Sequence, residues 1–136
     1  MFTRGAQGLC KSERLTGKKQ IELLFEGSGS KSMSAWPVRM VYLKTDRAFD
    51  DVQAKILVSV SKRHFKHAVD RNRIKRQMRE AYRLNKQQLL NILAQTPDKC
   101  LLMALMWMSD EHKDSEEVSS KVCSLLQRLT EKLSAQ

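Results

Sequence analysis

Cysteine is scarce here and badly placed for chemistry. Its three residues, Cys10, Cys100 and Cys123, are far apart, odd in number and without a CxxC pair. That arrangement argues against a disulfide framework or a zinc site and suits a reducing cytosol, with Cys100 and Cys123 as small core residues. Long apolar runs are missing too. The longest, CLLMALMWM, is nine residues, well short of the ~20 needed to span a bilayer. The N-terminal MFTRGAQGLCKSER has no apolar stretch of signal-peptide length. The expectation is a cytoplasmic protein with no membrane partner. Internal repeats are absent, as are a Ser-His-Asp or Cys-His arrangement, a carboxylate pair for in-line hydrolysis and a P-loop. No catalytic residue can be assigned to the chain.

Acidic residues are short in one place. The chain of 136 residues carries a net charge of +10. Residues 1–96 hold 20 basic and 8 acidic side chains, whereas residues 97–136 hold 5 and 7. Lys62 to Lys86 alone contain ten basic and two acidic residues. Solubility would not need this asymmetry; a polyanionic partner would.

The length suits one domain, with residues 1–13 a flexible N-terminal segment, 14–133 the domain and 134–136 a tail. RLTGKKQIELLFEG reads as a first helix, Thr16 its N-cap, Ile21, Leu24 and Phe25 on one face, and Gly27 its stop. GSGSKSMSA is loop by composition. WPVRMVYLKT is a strand, with Val38, Met40 and Tyr42 on one face and Arg39, Val41 and Leu43 on the other. DRAFDD is a turn. KILVSVSKR is a second strand facing Ile56, Val58 and Val60 one way, and the spacing from Leu43 to Lys55 predicts a long-looped hairpin between the two. A basic helix follows over Ala68 to Leu93, ended by TPDK. CLLMALMWMS reads as a buried strand. The last helix repeats Val118, Val122, Leu125, Leu126, Leu129 and Leu133 on one face. The order is αββαβα, an α+β protein with helices over a sheet in a two-layer sandwich.

In the basic helix, at ~100° per residue, Ile74, Met78, Ala81 and Tyr82 share an arc that should face the sheet. Lys75, Arg79, Arg83 and Lys86 form an adjoining arc, extended by Asn72 and Arg76, with Arg71 at its margin. Glu at i, i+4 would ordinarily relieve such a ridge, since like-charge pairs cost ~0.2–0.5 kcal/mol each. The ridge Arg71, Lys75, Arg79, Arg83 shows no such relief along it, and phosphates would supply it. A membrane-surface helix would carry large apolar side chains between lysines; nucleic acid is the stronger reading.

AVDRNRIKRQMRE, preceded by ILVSVSKR, resembles the RNR signature of the bacterial ribonuclease P protein component, through Ala68, Arg71, Asn72, Arg73, Lys75, Arg76 and Arg79 and the strand end Ser59 to Arg63. The likeness runs from Arg14 to about Leu133. It implies a ribosomal-protein-like sandwich with a left-handed βαβ crossover, against the usual right-handed rule. It implies a subunit of an endoribonuclease whose catalytic centre lies in an RNA subunit, the complex removing the 5′ leader of precursor tRNA. It also implies magnesium as cofactor, held mainly by the RNA and not bound firmly by the protein alone. Arg71, Asn72, Arg73, Lys75, Arg76 and Arg79 would then dock the RNA subunit, with Lys62, Arg63 and Arg83 extending that surface. A cleft between first helix and sheet would take the leader, with Ile21, Phe25 and Tyr42 as its candidates by position. Relatives commonly carry two Phe residues in that helix, and Ile21 stands in place of one. The plain alternative for these three is ordinary core. No protein partner is predicted.

Other features have plainer readings. His64 and His67 form an HxxH pair without further ligands nearby, suited to solvent or phosphate contact. Asp46, Asp50 and Asp51 are turn-formers, with loosely held hydrated magnesium as the alternative. Three rival functions share parts of the pattern: a ribosomal-protein-like RNA binder, a duplex-DNA binder with its helix in the major groove, and a protein-only ribonuclease, which the missing carboxylate cluster disfavours.

Overall fold

The structure is a computed structural model that describes residues 14–15, 17–26, 29–46 and 53–134. The elements run α1 (Lys18–Glu26), β1 (Lys31–Ala35), β2 (Val38–Asp46), β3 (Ala54–Val60), α2 (Ala68–Asn85), α3 (Gln87–Leu93), β4 (Lys99–Trp107) and α4 (Ser115–Ser134). The α+β class holds. The order gains one strand and one helix over the six-element reading. The caps at Thr16 and Gly27, the turn residues Asp50 and Asp51, Cys10 and the segment 1–13 lie outside the described residues.

One four-stranded sheet has the order β1-β2-β4-β3. β2 does not pair with β3, so the predicted hairpin does not form. Instead β4 lies between them, antiparallel to β2 and parallel to β3. The reason is in β4 itself. Its residues are apolar on both faces, and Leu101, Met103 and Leu105 on one side and Cys100, Leu102 and Ala104 on the other are all buried. A strand with no polar face is stable only where both faces are covered and both edges paired, which is the centre of a sheet.

The Ser-rich stretch read as loop becomes β1, an edge strand paired with β2 from Lys31↔Tyr42 to Ala35↔Val38. Its propensity for strand is low, but the ladder and the partial burial of Met33 and Ala35 against the core override it. Lys31, Ser32 and Ser34 stay exposed, the usual dress of an edge.

The main core lies under α2, α3 and α4, on the face of Val38, Met40, Ile56, Val58, Met103 and Leu105. All six apolar residues predicted for the last helix are buried there. The basic segment is two helices, broken at Lys86, which is itself buried with 5% exposure. Leu89 and Leu93 of the second helix are both buried in the core beside the inner face of the first. Gln53 fastens this corner, donating from Nε2 to the carbonyls of Leu93 at 2.6 Å and Thr96 at 2.9 Å.

A second, smaller core lies on the opposite face, where α1 packs Leu24 with Leu15, Val41, Leu102 and Ala104. Helices therefore cover both faces of the sheet, three on one side and α1 on the other. α1 is short, at nine residues, and leaves part of its face open.

Candidate nucleic-acid interface

The cationic surface begins where β3 ends. The Ser61 carbonyl accepts from the backbone N–H of His64 and Phe65 at 3.1 and 3.2 Å, and Ser61 Oγ accepts from Arg63 N–H at 3.1 Å. These bonds fold Lys62 and Arg63 into an exposed turn. Phe65 plugs the turn into the core and meets the His112 ring at 4.7 Å. Arg71, one turn into α2, donates from Nη1 to the carbonyls of Phe65 at 2.8 Å and Lys66 at 2.9 Å. Part of its guanidinium thus locks the turn to the helix.

Along α2, Ile74, Met78, Ala81 and Tyr82 are the buried residues, as the arc predicts. Asn72, Arg73 and Arg76 are exposed, while Lys75, Arg79 and Arg83 are half-buried. The structure divides the cations between two flanks. Arg73 and Arg76 line a groove of about 340 Å³ with Gln77, Glu80 and Ser115. Lys75 and Arg79 lie on the other flank, where Arg79 meets Arg14. Burial first, and then the Arg14 charge, hold the Arg79 pKa below the ordinary arginine value.

Two sequence expectations need correction. The ridge is not without relief, because Arg83 binds Glu80 through both Nε, at 3.0 Å, and Nη2. That pairing also holds the Glu80 carboxyl below its usual range. The partner sits at i−3 on the neighbouring row of the helix, outside the four-residue spacing of the ridge itself. Lys86, placed on the cationic arc, is instead buried at the helix break.

The β4–α4 connection buttresses this surface. His64 Nδ1 lies 2.6 Å from Asp110 Oδ1, and His112 Nε2 lies 3.2 Å from Asp70 Oδ1. Gln77 Nε2 donates to the Lys113 carbonyl at 3.0 Å. The HxxH pair therefore splits: His64 pairs with an acid and His67 occupies the N-cap of α2. Among the described residues no three His, Cys, Asp or Glu side chains converge on a common point. Asp46 is held by Lys99 Nζ at 2.7 Å. No helix among the described residues is long and apolar enough to cross a membrane.

A second feature lies across the sheet. Between α1 and the β1–β2 hairpin runs an open cleft of about 340 Å³, lined by Leu24, Phe25, Lys31, Ser32, Arg39 and Val41, among others. Phe25 is 44% exposed there. Ile21 is half-buried at the edge of the small core. Tyr42 is elsewhere. It is 5% exposed in the main core, on the other face, and burial raises its hydroxyl pKa. Strand alternation carries it with Val38 and Met40, and that face is the one under α2, α3 and α4. Ile21 and Phe25 share the α1 side; Tyr42 does not.

Residue-pattern reading also passed over three cations. Lys31 and Arg39 line the cleft, and Arg14 is brought beside Arg79 by its bridge to Ile56 at the β3 edge. Arg39 was legible as the polar member of its strand face. Nothing in sequence spacing joins Arg14 to a helix more than sixty residues on.

Fold and surface together define an α+β protein whose crossover helix between parallel strands carries the positive charge. The family model described as Ribonuclease P matches residues 9–130. The Ribonuclease P protein component of Porphyromonas gingivalis is 41% identical over 122 residues, which are 90% of this chain and 86% of that protein. The protein of the same name from Chlorobium phaeobacteroides is 40% identical over 89 residues, 62% of this chain and 58% of that one. Among solved structures, the RNase P protein from Thermotoga maritima superposes with a TM-score of 0.63 at 22% identity, over 85% of this chain and 96% of that one. The chain belongs to the ribonuclease P protein family.

Proposed function

We propose that this chain is the protein subunit of a bacterial ribonuclease P ribonucleoprotein, acting in the 5′ maturation of tRNA. In this reading α2 and the Lys62–Arg63 turn dock the catalytic RNA, and the cleft beside α1 takes the single-stranded 5′ leader of precursor tRNA. The catalytic centre and its magnesium belong to the RNA; the chain's own residues bind and orient.

The observation that carries the reading is the placement of two separate surfaces. One is helical and Arg-rich, suited to phosphates in a fixed scaffold. The other is concave, with an exposed Phe25 beside Lys31 and Arg39. Aromatic faces stack on unpaired bases without demanding a sequence, and flanking cations follow the backbone. A protein that only neutralised RNA would need the first surface and not the second.

The test is leader cleavage of a precursor tRNA by a bacterial ribonuclease P RNA at low magnesium, with and without this chain. Rescue by a protein that is inert alone is the expected result. Tight RNA binding without rescue, using the RNA of its own genome, would point instead to a ribosomal-protein-like RNA binder. Cleavage by the protein alone would revive the protein-only ribonuclease.

A further inference from the structure

β3 is an edge strand, and its outer side is met by residues 14 and 15. Leu15 N–H donates to the Ile56 carbonyl at 2.8 Å, and the bridge sets Arg14 opposite Ile56 in parallel register. Paired residues of a ladder project to the same face of a sheet, and chain neighbours project to opposite faces. Ile56 belongs to the main core under α2, so Arg14 stands on the α2 side. Leu15 stands on the other side, buried at 1% exposure with Leu24 of α1. One dipeptide thus straddles the sheet edge. Its apolar side chain is anchored beneath α1, and that anchor holds its cation at the edge of α2.

The flank of α2 nearest this edge carries Lys75 and Arg79, because Arg73, Arg76 and Gln77 lie towards Ser115 at the start of α4. Arg79 is half-buried and Arg14 is exposed. They are near enough to oppose one another: after burial, the Arg14 charge is the second cause of the lowered Arg79 pKa. Among the described residues neither guanidinium has a hydrogen-bond or ion-pair partner. Other arginines of α2 do, Arg71 on two carbonyls and Arg83 on Glu80. Two guanidinium forks side by side, one of them part-buried, repel in the free protein and are reconciled by an anion between them. A backbone phosphate has one free oxygen for each fork.

We infer that Arg14 and Arg79 close on one backbone phosphate of the RNA subunit, so that the docking surface of α2 continues over the edge of β3. The inference rests on the reading of α2 as the RNA-docking helix, and it adds a binding residue from outside that helix.

The experiment titrates the ribonuclease P RNA of the same genome with the full chain at several salt concentrations. Arg14→Ala should weaken binding about tenfold, the order of one charge-assisted contact. Two arginines on one phosphate predict a particular result for the double variant. Arg14→Ala combined with Arg79→Ala should flatten the log–log salt slope by ~0.7–0.9, whereas two separate phosphates would give ~1.4–1.8. Arg14→Lys should recover part of the affinity, since it keeps the charge and loses the fork. Thermal unfolding of free Arg14→Ala should be unchanged or shifted upward, because a like-charge contact is lost and the Leu15 backbone bond is kept.

Unchanged RNA affinity in Arg14→Ala, a two-phosphate slope change, or a lowered unfolding midpoint would each overturn the inference. So would a loss confined to precursor tRNA binding by the reconstituted holoenzyme, which would assign the phosphate to the substrate. Arg73→Ala combined with Arg76→Ala, run in parallel, separates the two levels. If that pair flattens the slope while Arg14→Ala changes nothing, only this inference fails; if neither has an effect, the docking reading of α2 fails with it.

Discussion

At the scale of single residues, the structure separates side chains that the sequence presents as equivalent. Arg71 and Arg76 are both motif arginines, yet Arg71 spends hydrogen bonds on the Phe65 and Lys66 carbonyls whereas Arg76 is exposed at a groove. Arg76→Ala should leave thermal stability unchanged and flatten the salt dependence of RNA binding by ~0.7–0.9 in log–log slope, one phosphate's worth of released counterion. An unchanged slope would place Arg76 off the RNA. Arg71→Ala should differ in kind. It removes two hydrogen bonds to turn carbonyls, one part-buried and one exposed, so a stability loss of about 0.5–1.5 kcal/mol is expected in thermal unfolding beside any loss of binding. Phe25 and Tyr42 make a similar pair. Phe25→Ala should weaken precursor binding several-fold to a hundredfold, about 1–3 kcal/mol of stacking, and spare mature tRNA. Tyr42→Ala removes a buried ring, so it should cost roughly 3–5 kcal/mol of stability and affect both substrates alike. Identical behaviour of the two variants would mean that Phe25 is merely packing.

At the scale of elements, what could be read from the sequence followed from periodicity and failed where pairing or facing decides. The last helix was legible because six apolar residues at helical spacing leave one solution, and Ile74, Met78, Ala81 and Tyr82 located the inner face of α2 for the same reason. β1 was not, because Lys31 and Ser34 have no strand propensity of their own and gain order from tertiary partners, the β2 ladder first among them. The partner of β2 was misread because a long loop is compatible with a hairpin, while the choice of β4 as centre depends on burial of both its faces. Tyr42 shows the consequence for the site. Its side of β2 was correctly assigned, but sequence alone does not say which side α1 covers. The cleft depends on that same packing through Leu24, which is fully buried between α1 and the sheet. Leu24→Ala should destabilise by roughly 2–5 kcal/mol. Because α1 carries Phe25, precursor discrimination should weaken at temperatures where the fold still persists. Leader discrimination that stays intact in that variant would show that α1 is held by something other than this contact.

At the scale of the whole molecule, charge is segregated in the chain and in space. Residues 1–96 carry the positive excess, and residues 97–136 are slightly acidic, with 5 basic and 7 acidic side chains. α4 buries six apolar residues against the sheet and begins with Glu116 and Glu117, so its outward side offers a polyanion little attraction. Its cations then serve structure, as Arg128 does by binding the Ser34 carbonyl, or solubility. This makes the location of the salt dependence a property of the molecule that can be mapped. Lys121→Ala combined with Lys132→Ala removes two positive charges from α4, and Arg73→Ala combined with Arg76→Ala removes the same number from α2. Net charge falls equally in both. If binding were driven by the overall field, both pairs would lower affinity and salt slope together. If the contacts are local, the α2 pair should flatten the slope by ~1.4–1.8 and the α4 pair should leave it unchanged. Measuring both at several salt concentrations, on the same RNA, decides between a diffusely basic protein and one whose α2 is the docking surface, because only the second predicts that equal charge changes have unequal effects.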